Sequence, residues 1–544
     1  MTRRRVVNGP RVRRAVQLVF LVLFFALLVL ARPRPGVDPS PLLHAFFHFD
    51  PLILVSTWLA AHAVPAAALL SLVVIGMTIV LGRVFCGWVC PLGTIHALAS
   101  RLFHGRPRKP KRPDHWSRWQ LAKYYLLVAF LAMAALGGHW VAIFDPLVLL
   151  YRTTTVALLP GLQWAVEEGS TAVWQTDPGI GPMRLNSVTN PVYELTRDHV
   201  FVVPDQAFLG AGWIAAVFVV TLALNAFRRR FWCRYLCPLG ALLGLFAWRP
   251  LLRRKTRPET CNQCDLCGMA CHGAAAAAPG DGWRAAECLG CLICTDSCAR
   301  QSLRFGPAGP WKRAAAEERL GLSRRAALGA AAGGVAALAL VRANPQSRGR
   351  QNHPRLIRPP GSRPERQFLE RCTACGLCMK VCPTGGLQPA IAEAGLEGLW
   401  TPRLVPKIGY CDYTCNLCGQ VCPTEAIQSL TVEAKNATKI GLACFDTTRC
   451  IPYAYARDCM VCEEHCPIPD KAIYVVEVEV EDRQGNKKTV KQPHVDPDLC
   501  IGCGVCEHVC PYRDRPAIRV TSSNESRNPD NQPILAELDW DDPY

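Results

Sequence analysis

The sequence has little charge: 19% of its 544 residues are Asp, Glu, Lys or Arg, and its mean hydropathy is +0.12. A chain this apolar is excluded from the disordered class and is unusually apolar for a soluble protein. Acidic residues are scarcest in residues 1–344, with 17 Asp+Glu against 38 Lys+Arg; residues 345–544 hold 26 against 23. All the excess positive charge of the +18 total therefore lies in the half that carries the long apolar runs. That pattern points to membrane topology and away from nucleic acid. A Walker loop, a G-x-G-x-x-G after a strand and a nucleophile elbow are all missing, so nucleotide and hydrolase chemistry is not supported. In excess is cysteine: 29, in tight runs with two- and three-residue gaps. Disulfide scaffolds are short and secreted, and this spacing suits metal ligation.

Four apolar segments, roughly Ala15–Ala31, Ala63–Gly82, Leu121–Gly138 and Phe208–Phe227, are long enough to be transmembrane helices. Residues 1–14 carry six Arg, 83–119 eight Lys+Arg and 228–260 nine, whereas 32–62 have two and 139–207 three. Positive loops stay inside, so the N-terminus and the loops at 83–119 and 228–260 are expected in the cytoplasm. The half is duplicated: Phe49-Asp50-Pro51-Leu52 recurs as Phe144-Asp145-Pro146-Leu147, and Cys86-x3-Cys90-Pro-Leu-Gly as Cys233-x3-Cys237-Pro-Leu-Gly. Two copies of one unit imply a pseudo-twofold arrangement. The apolar residues Ile53–Ala60 and Val148–Val166 read as short re-entrant pieces. Cysteines at i and i+4 share one side of a helix, so Cys86, Cys90, Cys233 and Cys237 can face each other. They suit an iron or iron–sulfur centre or a thiol-redox site, with helix packing as the bland reading, and the sequence does not decide.

Next come Cys261, Cys264, Cys267 and Cys271, then Cys288, Cys291, Cys294 and Cys298, each run spaced C-x2-C-x2-C-x3-C. This is the run of ferredoxins with two [4Fe–4S] clusters, in which the fourth cysteine reaches the other cluster. Cys298 thus pairs with Cys261, Cys264 and Cys267, and Cys271 with Cys288, Cys291 and Cys294. The usual proline after the fourth cysteine is replaced by His272 and Ala299. Beyond residue 365 four more runs each end in Cys-Pro: Cys372, Cys375, Cys378, Cys382; Cys411, Cys415, Cys418, Cys422; Cys450, Cys459, Cys462, Cys466; and Cys500, Cys503, Cys506, Cys510. Zinc sites use two pairs and not repeated runs of four. The expectation is six [4Fe–4S] clusters, with Cys444 a non-ligand; spacing leaves the pairing inside the larger module open.

Between the modules, a polar and helical stretch at 311–321 precedes Ser323-Arg324-Arg325 and an apolar Gly/Ala-rich segment to Val341. A twin arginine before a weakly hydrophobic segment is the signature of export in the folded state. It is either a cleaved leader or a fifth span. Residues 344–365 read as an extended linker.

These residues match known families. The first 308 resemble the NapH family of membrane quinol-dehydrogenase subunits, through four helices, twin C-x3-C-P motifs and a trailing two-cluster ferredoxin. Residues 320–522 resemble the four-cluster NapG family, twin-arginine leader included, and the MauN and MauM pair is similarly close. The resemblance implies an α-helical polytopic membrane domain with a duplicated half, plus α+β ferredoxin-like domains. The boundaries are 1–250 for the membrane domain, 251–308 for the two-cluster domain and 309–343 for the leader or fifth span. A linker at 344–365, the four-cluster domain at 366–524 and an acidic tail at 525–544 complete the chain. It implies a multi-pass protein of the bacterial inner membrane that oxidises quinol and passes electrons to a periplasmic cytochrome c or reductase, with 251–308 cytoplasmic and 366–544 periplasmic. The alternative is an electron donor for maturation of a periplasmic metalloenzyme or cofactor. Quinol oxidation releases protons and needs acid–base groups. Ionisable residues at the apolar zone are candidates by default: Asp50, Asp145, His44, His48 and His139. A bland reading makes each aspartate a backbone cap before proline, and a pocket beside the C-x3-C thiols is the other placement.

Overall fold

The computed structural model describes residues 9–33, 40–105, 114–176, 179–180, 183–204, 206–275, 282–308, 320–349, 353–481, 485 and 487–532. Of the polar helix expected at 311–321, residues 311–319 lie outside these and 320–321 are not helical, and the end of the acidic tail, 533–544, also lies outside. About half of the residues are helical. The helices are α1 (Gly9–Leu30), α2 (Pro51–Ala61), α3 (Ser71–Leu81), α4 (Pro91–His104), α5 (Ala122–Ala135), α6 (Pro146–Thr153), α7 (Leu159–Thr176), α8 (Asn186–His199), α9 (Ala211–Ala223), α10 (Pro238–Phe246) and α11 (Arg324–Arg342). Among the described residues two, α1 and α11, are long and apolar enough to cross a membrane. A bent pair, Leu42–His48 with α2, passes the same test together, broken by 78°.

The other expected spans are shorter than the sequence suggests. Gly82 and Gly137, with φ of 80° and 81°, take the left-handed backbone that glycine adopts freely and end α3 and the turn after α5. The path from Pro146 to Thr176 is continuous helix with a π-turn at Thr154–Leu158, not a broken re-entrant piece. Thr153, Thr154 and Thr155 donate their hydroxyls to carbonyls four residues back, which loosens the helix there.

Four helices begin by one rule. Proline stands at the first position of α2, α4, α6 and α10, and it forces the residue before it out of the helical region. Those preceding residues are Asp50, Cys90, Asp145 and Cys237, and each side chain accepts a backbone N–H of the first turn. This corrects the expectation that each C-x3-C lies along one helix. Cys86 sits in a π-turn, Phe85–Val89, while Cys90 caps the helix that follows; Trp232–Leu236 and Cys237 repeat the pattern.

Helices α5 and α11 pack against each other closely enough that a Cβ at Gly334 would overlap the Ala129 carbonyl, and one at Gly138 would overlap Leu338. Small residues permit this approach where packing, not water, must drive association. Outward faces carry Leu18, Val19, Val22, Leu72, Val73, Ile79, Val219 and Val220, all exposed. All sheets among the described residues are two-stranded and antiparallel: β1 (Leu252–Thr256) with β2 (Leu303–Pro307), β3 (Leu387–Pro389) with β4 (Pro402–Leu404), β5 (Leu442–Phe445) with β8 (Ile518–Thr521), β6 (Ile473–Glu481) with β7 (Lys487–Val495), and a two-residue pair at 179–184. Such small sheets bury little by themselves. The linker expected at 344–365 is packed from 353 onward: Arg358 is buried, bonded to Glu365, Thr401 and the Pro402 carbonyl, and Ile357 bridges to Leu404.

Candidate functional site

Strands β1 and β2 frame two short helices, Leu266–Met269 and Ile293–Ser297. Asp265 and Leu292, just before them, adopt left-handed φ of 56° and turn each cysteine loop into its helix. Cys271 stands among Cys288, Cys291 and Cys294, and these four line one cavity. Cys261 and Cys264 lie on the loop entering the first helix, Cys267 within that helix and Cys298 at the end of the second; Cys264 is exposed.

The larger module resolves the pairing that spacing left open. Cys422 stands beside Cys372, Cys375 and Cys378, and Cys382 beside Cys411, Cys415 and Cys418. Cys510 joins Cys450, whose other neighbours are Cys459 and Cys462. Cys466 joins Cys500, Cys503 and Cys506. The first two runs thus exchange their fourth cysteines, as do the last two. The Cys411 N–H donates to the Cys503 carbonyl at 2.8 Å, and Cys506 neighbours Cys462. The quartets therefore follow one another in the order first, second, fourth, third. Cys444 is exposed on β5, outside every quartet.

Burial pushes the thiols of Cys288, Cys411 and Cys462 up to about 12. Four such thiols give up their protons at neutral pH only to a cationic core that offsets their desolvation. Among the described residues no three His, Cys, Asp or Glu side chains converge as the ligands of a single ion do. Quartets standing around cavities, as Cys382, Cys411, Cys415 and Cys418 do, fit a multi-atom cluster.

In the helical part, Cys86, Cys90, Cys233 and Cys237 are neighbours. Asp50 and Asp145 are fully buried caps. Their carboxyls also meet side chain to side chain, and neither Oδ2 has another partner. Two carboxyls this close are not both readily ionised, so the pair can take up a proton. His139 donates from Nδ1 to the Cys372 carbonyl at 3.3 Å, and its Nε2 pairs with Ser56 Oγ at 3.0 Å. His44 and His48 meet edge to face, 4.6 Å between ring centroids.

Two polar seams tie the modules to opposite ends of α5. At its start, buried Glu287 accepts from Lys123 at 2.5 Å, Tyr124 at 2.9 Å and Arg83 at 3.3 Å. Glu287 directly precedes Cys288. At the other end, Arg342 and Arg348 converge on buried Glu397, at 2.9 and 3.2 Å, and donate to the Leu136 and Gly137 carbonyls. Arg152, wholly buried, stacks on Trp400 with 4.3 Å to the ring centroid and lies between Asp145 and Cys375. Further out, burial would raise Glu365, but Arg358 and Arg527 hold it down to about 2, so this carboxylate stays ionised and both guanidiniums stay paired. Sequence reasoning missed Lys123, Arg152, Glu287 and Glu397. The available signal was a lone cation inside each of two apolar segments, expensive unless paired.

These features define a multi-cluster ferredoxin-type protein. A 4Fe–4S binding domain description matches residues 63–110 and again 209–259, once around each C-x3-C-P-L-G; a second 4Fe–4S binding domain matches 368–388 and a 4Fe–4S dicluster domain 456–513. The ferredoxin-type protein NapG of Escherichia coli K12 is 36% identical over 190 residues, 35% of this chain and 80% of that protein. The methylamine utilization ferredoxin-type protein MauM of Methylorubrum extorquens is 33% identical over 168 residues, 30% of this chain and 72% of its own. MauN of the same organism is 29% identical over 271 residues, 48% of this chain and 73% of its own. The chain belongs to the family of ferredoxin-type proteins that includes NapG and MauM, and it is an iron–sulfur electron-transfer protein. No solved structure matches it.

Proposed function

We propose that this protein is a multi-pass membrane quinol dehydrogenase that passes electrons outward to a periplasmic acceptor such as a cytochrome c or a reductase. The observation that carries this reading is the placement of the two modules at opposite ends of α5, a helix of roughly 20 Å. Between those ends runs an unbroken line of neighbours: Glu287, Lys123, Cys237, Cys90, Asp145, Arg152 and Cys375. The twice-matched segment at 63–110 and 209–259 supports a duplicated helical domain. When bound, six [4Fe–4S] clusters supply one-electron carriers. The chain's own residues do the rest: the quartets fix positions, Glu287 and Glu397 hold the modules, and the aspartate pair accommodates a proton. The association of MauM and MauN with methylamine utilization favours a second reading, a donor of electrons during enzyme maturation. Anaerobic protein in lipid nanodiscs should bleach its 4Fe–4S absorbance on addition of a short-chain quinol, repeatedly once an electron acceptor is supplied. Reduction by dithionite with none by quinol would sink the respiratory reading.

The same reading puts 251–308 in the cytoplasm and 366–544 in the periplasm, supported by the basic loops and by α11 joining the two modules. Protease added to intact spheroplasts should remove 366–544 and spare 251–308. Equal protection of both modules would overturn this topology.

A further inference from the structure

The largest cavity described for this fold lies where the two-cluster module meets the helices, and it measures about 420 Å³. That is within the range of small-ligand sites, about 300–1,000 Å³. Val16 and Phe20 of α1 and Met77 and Leu81 of α3 form one side; Trp283 and Cys288 of the two-cluster module form the other. No charged residue lines it, and the Trp88 indole N–H at its edge is spent on the Gly290 carbonyl at 3.0 Å. The outward faces of α1 and α3 carry exposed Leu18, Val19, Leu72, Val73 and Ile79, so the cavity sits inside the apolar surface of the protein.

These walls constrain the occupant. A phospholipid brings a charged headgroup, and the cavity offers it no cation and no free donor. A prenylated quinone is apolar along its whole tail and uncharged at its ring. Cys288 also belongs to the quartet with Cys271, Cys291 and Cys294, so an occupant here touches a ligand of an iron–sulfur centre. By contrast Asp50 and Asp145 are fully buried and line none of the described cavities.

We propose that this cavity is the binding site of a lipophilic quinone, its ring at Cys288 and Trp283 and its prenyl chain along Val16, Phe20 and Met77. The proposal rests on the quinol reading above and moves the site to the end of α5 that carries Glu287. The probe is a photoreactive prenylated azidoquinone, applied to the full-length protein in nanodiscs. Label is expected on the segments 16–20 and 283–292. Val16→Trp, which projects a larger side chain into the void from a half-buried position, should cut the labelling about tenfold at unchanged iron content. Ala285→Trp should do the same from the opposite wall, and if that variant fails to fold, Val16→Trp decides. Label confined to other segments, while quinol still reduces the protein, overturns this site and leaves the quinol reading standing. Absence of both label and quinol reduction, with dithionite still effective, overturns both. Displacement of the label by a photoreactive phospholipid, and not by unlabelled quinone, makes the cavity a lipid site and also overturns the proposal.

Discussion

Replacing Cys422 with alanine is expected to remove the cluster of the first run, Cys372, Cys375 and Cys378, and to spare that of its own run. Cys422 stands beside all three of those thiols, while the place it leaves in its own run is filled by Cys382. Iron content after anaerobic purification should fall from about 24 to about 20 atoms per chain, as four irons leave with one cubane. The low-temperature EPR spectrum of the reduced variant should match that of Cys372→Ala and differ from that of Cys411→Ala. A match to Cys411→Ala would mean that the runs do not exchange ligands. An iron content near 8 in the unmodified protein would mean that the larger module binds something else.

The second large effect is expected at the buried aspartates. Asparagine caps a helix as well as aspartate does, so Asp50→Asn and Asp145→Asn preserve the starts of α2 and α6. What they remove is the capacity of the carboxyl pair to take up a proton. If that pair balances charge moving between the thiols and the outer quartets, quinol-dependent reduction of the outer clusters should slow by at least about tenfold, the low end for a positioned acid–base group. Dithionite should still reduce every cluster, and reduction of the inner two clusters should keep its rate. Unchanged outer kinetics in both variants would leave the aspartates as caps and nothing more.

Much of the site was legible in the sequence because ligation has a local grammar. The C-x2-C-x2-C-x3-C runs, the repeated Phe-Asp-Pro-Leu and the C-x3-C-P-L-G all need fixed residue types at fixed spacing. Cys271 crosses to the second run as the spacing of Cys267 and Cys271 predicts. The pairing of Cys466 and Cys510 was not legible, because it depends on which runs pack together, and that is set by contacts far apart in the chain. Hydropathy found the apolar segments and ended them at Gly82 and beside Gly137, the left-handed glycines that stop the helices, but it did not show the breaks near their starts, such as the turn Ala66–Leu70 that precedes α3. The seams were invisible for a related reason. Glu287 reads as a loop residue until Lys123, some 160 positions earlier, is seen beside it.

The convergence of Arg342 and Arg348 on Glu397 has a consequence for assembly. Arg342 ends the helix packed against α5, so the outer module is tethered within reach of its own docking surface. Two free proteins that must find each other generally bury about 1,200–2,000 Å² to stay together. A tethered partner instead meets its surface at an effective concentration in the millimolar range, whatever the amount of protein made. The contact can then be small and polar, with two arginines on one carboxylate and a histidine on one carbonyl, and still be closed nearly all the time. It can also open and reclose without the halves parting, so the stoichiometry of inner and outer redox groups stays fixed from synthesis onward.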